Sequence, residues 1–439
     1  MSLPIVAIVG EPNAGKSTLL NKIAGKPLAV TSKVEGTTRD RQYMDTAWNG
    51  VEFTLVDTAG ITFGNMQELE SAITHQIDIA VQEADVLLFV VDGRREIESL
   101  DRKALLKFRK TKKPVILAVN KLDSPKQLLE KVEGFHALGI KNIHGISSIN
   151  GRGIGDLLDE VVKVLKKTPQ TTEPKPEGIA ISIVGKPNVG KSSLLNRILH
   201  EDRVIVSTIP GTTRTAIDTH IQIKGEPYTF IDTAGLKRKI HRQTLPDIYS
   251  GFQTFKALRR SDIAILVIEA NEDITKQDQH LAQEVMDMGK GLIIAANKMD
   301  LYDGDEDKLR DYISFHLPFL WMSPMFFISA KDNTGIDEML ESIKQIYINR
   351  HKEVVREDLE HLLTKVLKNN PPKLLRDQKK PKVFGLKQLA TNPPMFELLV
   401  NYPAAISMQF RNAVKNRIVR DMELWGTPIS LKIRGKDKS

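Results

Sequence analysis

Residues 10–17 read GEPNAGKS and residues 185–192 read GKPNVGKS. Both octets fit the pattern Gly-x4-Gly-Lys-Ser, in which glycines let the backbone wrap closely around a phosphate group. The N–H groups of such a loop point inward at the start of the following helix, where the helix dipole attracts anions. The pattern therefore predicts a phosphate-binding loop, and this chain carries the loop twice.

The sequence on either side of the octets is repeated as well. Each octet is preceded by a run rich in Ile and Val, which is typical of a buried strand in a parallel sheet. Each is followed by apolar residues at helical spacing, in STLLNKI (17–23) and SSLLNRI (192–198). Strand, glycine turn and helix form the context that a phosphate-binding loop requires.

Three further landmarks recur in the same order in both halves of the chain. These are Asp-Thr-Ala-Gly after a strand-like run, Asn-Lys-x-Asp after a second such run, and a short Ser-containing loop before an amphipathic helix. The alternation of strands and helices predicts a doubly wound α/β fold in each copy. The pairs of segments are VDTAG (56–60) and IDTAG (231–235), ILAVNKLD (116–123) and IIAANKMD (293–300), and GISS (145–148) and FISA (327–330).

Length and composition indicate a globular protein of several domains. The chain has 439 residues, of which 41% are hydrophobic and 27% charged, so two to four domains are expected. No apolar run reaches the roughly 18 residues of a membrane span, and the N-terminus has no basic leader, so we expect no signal peptide and a cytoplasmic location. The absence of cysteine excludes disulfides, thiolate metal sites and cysteine nucleophiles.

The net charge of +8 is concentrated in the last fifth of the chain. From residue 351 onward there are 18 Lys and Arg against 9 Asp and Glu, which favours a polyanion as partner, although a solvated surface is the alternative. The segment KKTPQTTEPKPEG (166–178) is typical of a linker. We therefore predict a first nucleotide-binding domain (1–165), this linker, a second such domain (179–350) and a basic domain (351–439).

The repeated motifs predict residues for phosphate and Mg²⁺. The octet lysine reaches the β- and γ-phosphates, the octet serine ligates Mg²⁺, the aspartate of Asp-Thr-Ala-Gly reaches Mg²⁺ through water, and its glycine N–H meets the γ-phosphate. A threonine before arginine in EGTTRD and PGTTRT completes the metal shell when γ-phosphate is present; Thr37 and Thr212 are alternatives. The predicted residues are Lys16, Ser17, Thr38, Asp57 and Gly60, and in the second copy Lys191, Ser192, Thr213, Asp232 and Gly235.

The Asn-Lys-x-Asp segments predict guanine as the base. A carboxylate can accept from both N1–H and N2–H2 of guanine, and adenine offers no such donor pair. GTP or GDP is thus the expected ligand. The other predicted nucleotide contacts are Gly10, Asn13, Ala14, Gly15, Thr18, Asn120, Lys121, Asp123, Ser147 and Ser148, with Gly185, Asn188, Val189, Gly190, Ser193, Asn297, Lys298, Asp300, Ser329, Ala330 and Lys331 in the second copy.

With these motifs in this order, the chain resembles the Der or EngA family of bacterial Era-like GTPases, over essentially its whole length. The resemblance implies two consecutive Ras-like G domains, a KH-like third domain and a role in assembling the large ribosomal subunit, for a protein that we expect to be a monomer. One departure concerns the first guanine-side loop, SSI (147–149), where the family usually has Ser-Ala-Lys, as at 329–331. Since Ile149 cannot lay a lysine stem against the base, we expect the first site to be looser.

The same resemblance suggests how hydrolysis is accelerated. Ras-like enzymes orient the attacking water with a glutamine just after Asp-x-x-Gly, but here those positions hold Ile61 and Leu236. In related GTPases an asparagine of the octet helps to hold K⁺ beside the phosphates, where a cation can replace an arginine finger. Asn13 and Asn188 occupy that position, so potassium stimulation is expected; the alternative is that they only brace the loop.

The basic C-terminal segment predicts a small α+β domain. A helix (354–368), two strands, a helix (406–423) and a last strand are expected, without the Gly-x-x-Gly loop that KH domains use to clamp nucleotides. RNA is the favoured partner; a protein partner, or contact with the chain's own G domains, remains an alternative. The basic residues that could contact RNA are Lys379, Lys380, Lys382, Arg411, Lys415, Arg417 and Arg420. A further basic stretch, GLKRKIHRQ (235–243), begins at the glycine of the second Asp-Thr-Ala-Gly.

Three other functions compete with a ribosome-assembly GTPase. A tRNA-modifying GTPase would carry a separate chemistry module or a cysteine, and neither is found in this chain. A binding scaffold would use its second domain only to hold GTP, which the intact Lys191 and Asp232 disfavour. An ATPase or kinase is disfavoured by both Asn-Lys-x-Asp segments.

Overall fold

The computed structural model describes most of the chain as two compact units, which comprise residues 1–175 with 246–252, and 176–245 with 253–439. Several predicted residues lie outside the described residues: Thr37, Thr38, Gly60, Ile61, Thr212, Thr213, Gly235, Leu236, Lys379, Lys380 and the stretch 235–243. The described residues are 3–11, 13–25, 43–57, 84–95, 108, 111, 113–124, 131–168, 176–200, 204–207, 218–233, 247–372 and 381–436.

The first unit is built on a six-stranded sheet with the order β2-β3-β1-β4-β5-β6. Only β2 runs antiparallel to its neighbour; the other strands pair in parallel. The elements are β1 (Ile5–Val9), α1 (Lys16–Ala24), β2 (Tyr43–Trp48), β3 (Val51–Asp57), β4 (Val86–Asp92), β5 (Val115–Asn120), a 3-10 helix (His136–Leu138), β6 (Asn142–Gly145) and α2 (Ile154–Lys167).

Strand β1 shows why this sheet folds between two apolar layers. All five of its residues are buried. Val6 and Ile8 pack on the side of α1 and α2, whereas Ala7 and Val9 pack on the opposite side with Phe89. A continuous apolar run is therefore required, because both faces of a parallel sheet are covered.

The second unit contains a seven-stranded sheet with the order β13-β12-β11-β7-β10-β9-β8. Strands β8, β9 and β10 pair antiparallel at one edge, and the remaining pairs are parallel. Its elements are β7 (Ile179–Val184), α3 (Lys191–Leu199), β8 (Val204–Ser207), β9 (Thr219–Ile223), β10 (Glu226–Phe230), α4 (Asp247–Arg260, of which residues 253–260 belong to this unit), β11 (Ile263–Glu269), α5 (Lys276–Asp287), β12 (Gly291–Asn297), α6 (Glu306–His316), β13 (Met325–Phe327) and α7 (Ile336–His351), with 3-10 helices at Met299–Leu301 and Pro318–Leu320.

A third, three-stranded sheet with the order β14-β15-β16 follows in the same unit. Helices α8 and α9 pack on it around Phe396, Leu398 and Val414. The sequence of helix, two strands, helix and strand is the predicted one, and the two larger sheets confirm the α/β class. The elements are α8 (Arg356–Asn369), β14 (Val383–Ala390), β15 (Met395–Val400), a 3-10 helix (Pro403–Ala405), α9 (Met408–Asp421) and β16 (Ser430–Gly435).

Backbone hydrogen bonds join the third domain to the second sheet. At the start of β12, the N–H of Leu292 donates to the carbonyl of Gly426 over 2.8 Å, and the N–H of Gly426 donates to the carbonyl of Met322, also over 2.8 Å. The rings of Trp321 and Trp425 meet edge to face with centroids 5.8 Å apart. The third domain thus supplies a backbone hydrogen-bond acceptor to the second residue of β12.

Arg350, in the last turn of α7, fastens this contact from the side. The residue is 2% exposed, and its guanidinium donates to Asn392 Oδ1 over 3.1 and 2.8 Å and to the carbonyl of Gly289 over 2.8 Å. The Asn392 N–H in turn donates to the Arg350 carbonyl over 2.8 Å. Burial lowers the pKa of Arg350 to about 10, so the group is buried as a cation with its donors directed at neutral oxygens.

Among the helices of the described residues, none combines the length and apolar character needed to cross a bilayer.

Candidate nucleotide-binding sites

The octet lysines fold back over their own loops. Lys16 is the first residue of α1, and its Nζ donates to the carbonyls of Gly10 and Glu11, each over 2.7 Å. Lys191 begins α3 in the same way and donates to the carbonyl of Gly185 over 2.7 Å and of Lys186 over 2.5 Å. Both ammonium groups therefore lie at a helix N-terminus beside inward-facing backbone, which is the arrangement that binds phosphate.

The last glycine of each octet is required because the Asn-Lys-x-Asp segment, here called the base-reading loop, approaches it closely. Gly15 has φ 94° and Gly190 has φ 96°, in the left-handed region. A Cβ on Gly15 would lie 2.3 Å from Asn120 Nδ2, and one on Gly190 would lie 2.2 Å from Asn297 Nδ2. Any side chain here would push the phosphate loop away from the loop that reads the base.

Burial perturbs the charge of the first octet lysine. Lys16 is 4% exposed, and desolvation lowers its pKa to about 8 despite the opposing fields of Asp57 and Glu11. A bound phosphate would return the lost charge stabilisation and raise this pKa again. Nucleotide binding at the first site should therefore be coupled to uptake of a proton above pH 8.

We expect GDP affinity at the first site to fall about tenfold between pH 7 and pH 9. The sign follows from Lys16: below pH 8 the free lysine already carries its proton, whereas above pH 8 binding must first protonate it. Calorimetric titration of Lys191→Ala, in buffers of different ionisation enthalpy, measures both the affinity and the proton uptake. The control is the same titration of the double variant Lys16→Ala/Lys191→Ala, whose residual GDP affinity should not change with pH in this way. If GDP affinity does not change with pH in Lys191→Ala, which keeps Lys16, the prediction is wrong.

Ser17 and Asp57 lie together where the predicted metal would be held. Ser17 Oγ donates to Asp57 Oδ2 over 2.7 Å, and Asp57 is the last residue of β3. A hydroxyl and a carboxylate are hard oxygen ligands of the kind that Mg²⁺ prefers with phosphate oxygens, so these residues fit the ion. Within the described ranges no group of three or more His, Asp or Glu side chains could hold a metal by itself.

The second copy differs at the matching aspartate. The sequence pattern predicts that Asp57 and Asp232 each end an apolar strand. This is observed for Asp57, but β10 ends at Phe230, so the prediction is wrong for Asp232. Asp232 follows in the left-handed region with φ 54°, and its N–H donates to Asp218 Oδ1 over 3.1 Å. Arg260 also donates to Asp218. A local turn held by a carboxylate therefore sets the direction of Asp232.

One asparagine ties the phosphate loop to the base-reading loop in each copy. Asn120 Nδ2 donates to the carbonyl of Ala14 over 2.8 Å, and its Oδ1 accepts the N–H of Ser148 over 3.0 Å. In the second copy Asn297 Nδ2 donates to the Val189 carbonyl over 2.8 Å, and its Oδ1 accepts the Ala330 N–H over 3.1 Å. Both asparagines are buried, so they brace the site from beneath.

The carboxylates that the sequence predicts to bind guanine, Asp123 and Asp300, are held by serines of the short loops. Ser147 Oγ donates to Asp123 Oδ1 over 2.7 Å, and Ser329 Oγ donates to Asp300 Oδ1 over 2.8 Å. These hydrogen bonds are the first cause of a lowered pKa at both aspartates. Each carboxylate is therefore kept ionised and oriented for a pair of N–H donors.

The lysines of Asn-Lys-x-Asp are fixed at their tips. Lys121 Nζ pairs with Asp92 over 2.7 Å, and Lys298 Nζ pairs with Glu269 over 2.6 Å. Both lysines have positive φ, 65° and 66°. Glu269 thus makes the contact that Asp92 makes in the first copy.

The remaining predicted residues are described by their backbone. Asn13 and Asn188 are left-handed, with φ 64° and 68°, a conformation that turns successive N–H groups toward one side. Thr18 and Ser193 lie in the first turns of α1 and α3.

Sequence reasoning missed a cation on each helix that follows an octet. Lys22 Nζ donates to the carbonyl of Ile149 over 3.1 Å. Arg197, at the matching position of α3, donates to the carbonyls of Ala330 over 3.1 Å and Lys331 over 2.7 Å. A basic residue six positions after the octet lysine in both copies was the signal. These side chains hold the short base-side loop from outside the pocket.

The basic residues of α9 lie in different environments. Arg420 lies over the ring of Trp321 in the second G domain, 5.4 Å from its centroid. Arg417 pairs with Asp421 over 2.8 Å, and burial lowers the pKa of Lys415. Contact with the chain's own G domain, which was the alternative, is thus observed for one of them.

Two family models match three parts of the chain. A family model described as 50S ribosome-binding GTPase matches residues 5–121 and 180–298, and a model described as the KH-domain-like C-terminal domain of EngA bacterial GTPase enzymes matches residues 354–434.

Curated relatives match over the full length. The GTPase Der of Herpetosiphon aurantiacus is 39% identical, covering 100% of this chain and 98% of its own. GTPase Der of Clostridium kluyveri is 37% identical, over 99% of each chain. A solved structure of an Aquifex aeolicus Era variant bound to GDP.AlF4- aligns with a TM-score of 0.30 and 23% identity, over 60% of this chain and 88% of that one; so low a score supports no further conclusion.

Proposed function

The chain belongs to the Der (EngA) family of GTPases, and from that membership we propose that it acts in assembly of the large (50S) ribosomal subunit and binds rRNA in a nucleotide-dependent way. The observation that carries the proposal is the connection between the second nucleotide site and the basic domain. In strand β12 the N–H of Leu292 donates to the Gly426 carbonyl, and the strand ends at Asn297, the residue that braces the base-reading loop. A change at the base-reading loop would reach the third domain along one strand.

The charge of the third domain supports an RNA partner. Its sequence carries twice as many basic as acidic residues, and such an excess attracts phosphate through release of counterions. An exposed aromatic ring lies among these charges: Phe384 is 40% exposed, and Lys382 and Lys436 lie 5.6 and 4.9 Å from its centroid. A ring flanked by lysines offers stacking together with phosphate contacts.

The cofactors of the proposed reaction are GTP or GDP with Mg²⁺ and, in addition, K⁺. Bound Mg²⁺ neutralises charge that develops on the phosphates. Lys16 and Lys191 supply further positive charge from the protein. Asn13 and Asn188 are the proposed potassium contacts, and the left-handed backbone at both positions supports a matching role in the two copies. We propose that the protein acts as a monomer in the cytoplasm.

Co-sedimentation with purified ribosomal subunits tests this function. We expect the full-length protein to pellet with the large subunit in the presence of a non-hydrolysable GTP analogue, less so with GDP, and progressively less as salt rises from 50 to 200 mM, since each phosphate contact releases counterions. The Lys191→Ala variant, whose second site cannot respond to the analogue, is the control for nucleotide dependence. Binding to neither subunit in any nucleotide state would contradict the ribosomal role and leave the GTPase family membership untouched.

A further inference from the structure

The two guanine-reading carboxylates receive their second donor from different loops. Asp300 Oδ2 lies 3.4 Å from Lys331 Nζ, on the short base-side loop. In the first copy the matching loop position is Ile149, which is 68% exposed, and Asp123 Oδ2 instead accepts from Arg94 Nη2 over 2.6 Å. Arg94 follows β4, so the cation has moved to another element while its target atom has stayed the same.

We infer that Arg94 positions the guanine-reading carboxylate of the first site, in the role that Lys331 has in the second, and so helps to determine the affinity and base specificity of that site. The inference rests on the proposed guanine-nucleotide sites and adds a residue that their motifs do not contain. For the first site it means that Arg94 supplies the carboxylate contact that Ile149 cannot make.

The loop after β4 is built so that Arg94 reaches this carboxylate. The N–H of Gly93 donates to the carbonyl of Asn120 over 2.8 Å, and a Cβ on Gly93 would lie 2.6 Å from Leu122 Cδ2. The N–H of Arg94 donates to Asp92 Oδ1 over 3.0 Å. The loop is therefore packed directly on the segment that carries Asp123, with no room for a larger residue between them.

The corresponding loop of the second copy is acidic and contains no arginine. Residues 92–96 read DGRRE, whereas residues 269–273 read EANED, so Asn271 stands in the place of Arg94. Glu272 of that loop pairs with Lys186 of the phosphate loop over 2.8 Å, on the phosphate side of the site. This loop therefore contacts the base-reading carboxylate in the first copy and the phosphate loop in the second.

The donors leave acceptor positions for the base. Each carboxylate oxygen has two lone pairs; Ser147 takes one on Oδ1 and Arg94 takes one on Oδ2 of Asp123. One position on each oxygen remains for guanine N1–H and N2–H. Because the two held donors lie on different oxygens, they fix rotation of the carboxylate, and a bidentate contact depends on that angle. Arg152 holds the same residue through its carbonyl, over 2.8 Å.

Titration of GDP and inosine diphosphate, which lacks the N2 amino group, tests the inference. The parent is full-length Lys191→Ala, in which binding reports the first site. We expect Arg94→Ala to weaken GDP about fivefold, the upper range for a half-exposed ion pair. The affinity for inosine diphosphate should fall less, because this nucleotide donates to Asp123 only through N1–H. The ratio of GDP affinity to inosine diphosphate affinity should therefore fall. Adding Ile149→Lys to Arg94→Ala should restore both values, since it places a lysine where the second site has Lys331.

Matched substitutions in the second site are the controls. In a Lys16→Ala parent, Lys331→Ala should reproduce the loss seen for Arg94→Ala, whereas Asn271→Ala should bind GDP as the parent does. Unchanged or tighter GDP binding by Arg94→Ala would overturn the inference, the latter because Arg94 would then compete with the base. An equal loss for both nucleotides without rescue by Ile149→Lys would reduce Arg94 to a general structural role. A Lys191→Ala parent that binds no GDP would refute the proposed first site itself.

Discussion

Replacing Lys191 with alanine is expected to lower GTP hydrolysis at the second site by about 100-fold or more while the first site keeps its rate. The Lys191 ammonium is anchored on the carbonyls of Gly185 and Lys186 at the start of α3. There it would meet the charge that develops on the transferred phosphoryl group, and such preorganised donors contribute most in the transition state. Single-turnover hydrolysis on full-length protein measures the effect.

The reciprocal variant Lys16→Ala is the matched control, since it should silence the first site alone. The two single variants together should account for the rate of the unchanged protein. If Lys191→Ala hydrolyses GTP as fast as the unchanged protein, the second domain is a nucleotide-holding scaffold, and the proposal that this site hydrolyses GTP is wrong.

The same assays in potassium and in sodium test Asn13 and Asn188: we expect faster hydrolysis in potassium at both sites, and equal rates would contradict the cation proposal.

Replacing Arg350 with methionine is expected to lower the free energy of unfolding of the second unit by about 3 kcal/mol. The substitution keeps an unbranched side chain but removes the donors to Asn392 Oδ1 and to the Gly289 carbonyl, which lie in the contact of the third domain with the second. Buried acceptors that lose their donor carry a desolvation cost that an apolar replacement does not return. Urea denaturation and hydrogen exchange at the Leu292 amide measure the effect.

Arg356→Met is the matched control for that substitution. Arg356 lies on α8, is 82% exposed in its side chain and pairs with Glu360 one turn away, so its loss should change the free energy of unfolding by less than about 0.5 kcal/mol. A similar, small effect for both variants would mean that Arg350 does not fasten the domains. Faster exchange at Leu292 in Arg350→Met alone would locate the loss at the domain contact.

The sequence was sufficient to predict the fold class and the approach of Asn120 and Asn297 to the phosphate loops. Octet, Asp-Thr-Ala-Gly and Asn-Lys-x-Asp are separated by strands whose carboxyl ends must lie at one edge of a parallel sheet. Asn120 therefore had to approach the phosphate loop, and the structure places it 2.8 Å from the Ala14 carbonyl. Local motifs carried this information because the backbone conformations they need are themselves encoded by glycine and asparagine.

Contacts between elements with no shared motif were beyond the sequence. Arg94 stands in a loop whose counterpart has no arginine, so comparison of the two copies gave no signal for it. Arg350 and Asn392 are distant in the chain, and nothing in either local pattern indicates that one would donate to the other. At Asp232, the apolar strand pattern ran past the point where pairing stops, because a turn held by Asp218 determines the last residues.

The hydrogen bond from the Leu292 N–H to the Gly426 carbonyl also bears on how such chains recombine in evolution. The boundary near residue 350 separates two sequence families but does not separate two independent bodies, since a break there would strip β12 of a backbone partner and leave Arg350 without Asn392. The boundary in the proline-rich segment near residue 175 coincides with the division between compact units. Recombination at that segment would exchange a whole cassette, whereas the second G domain and the basic domain are expected to be inherited, duplicated or lost together.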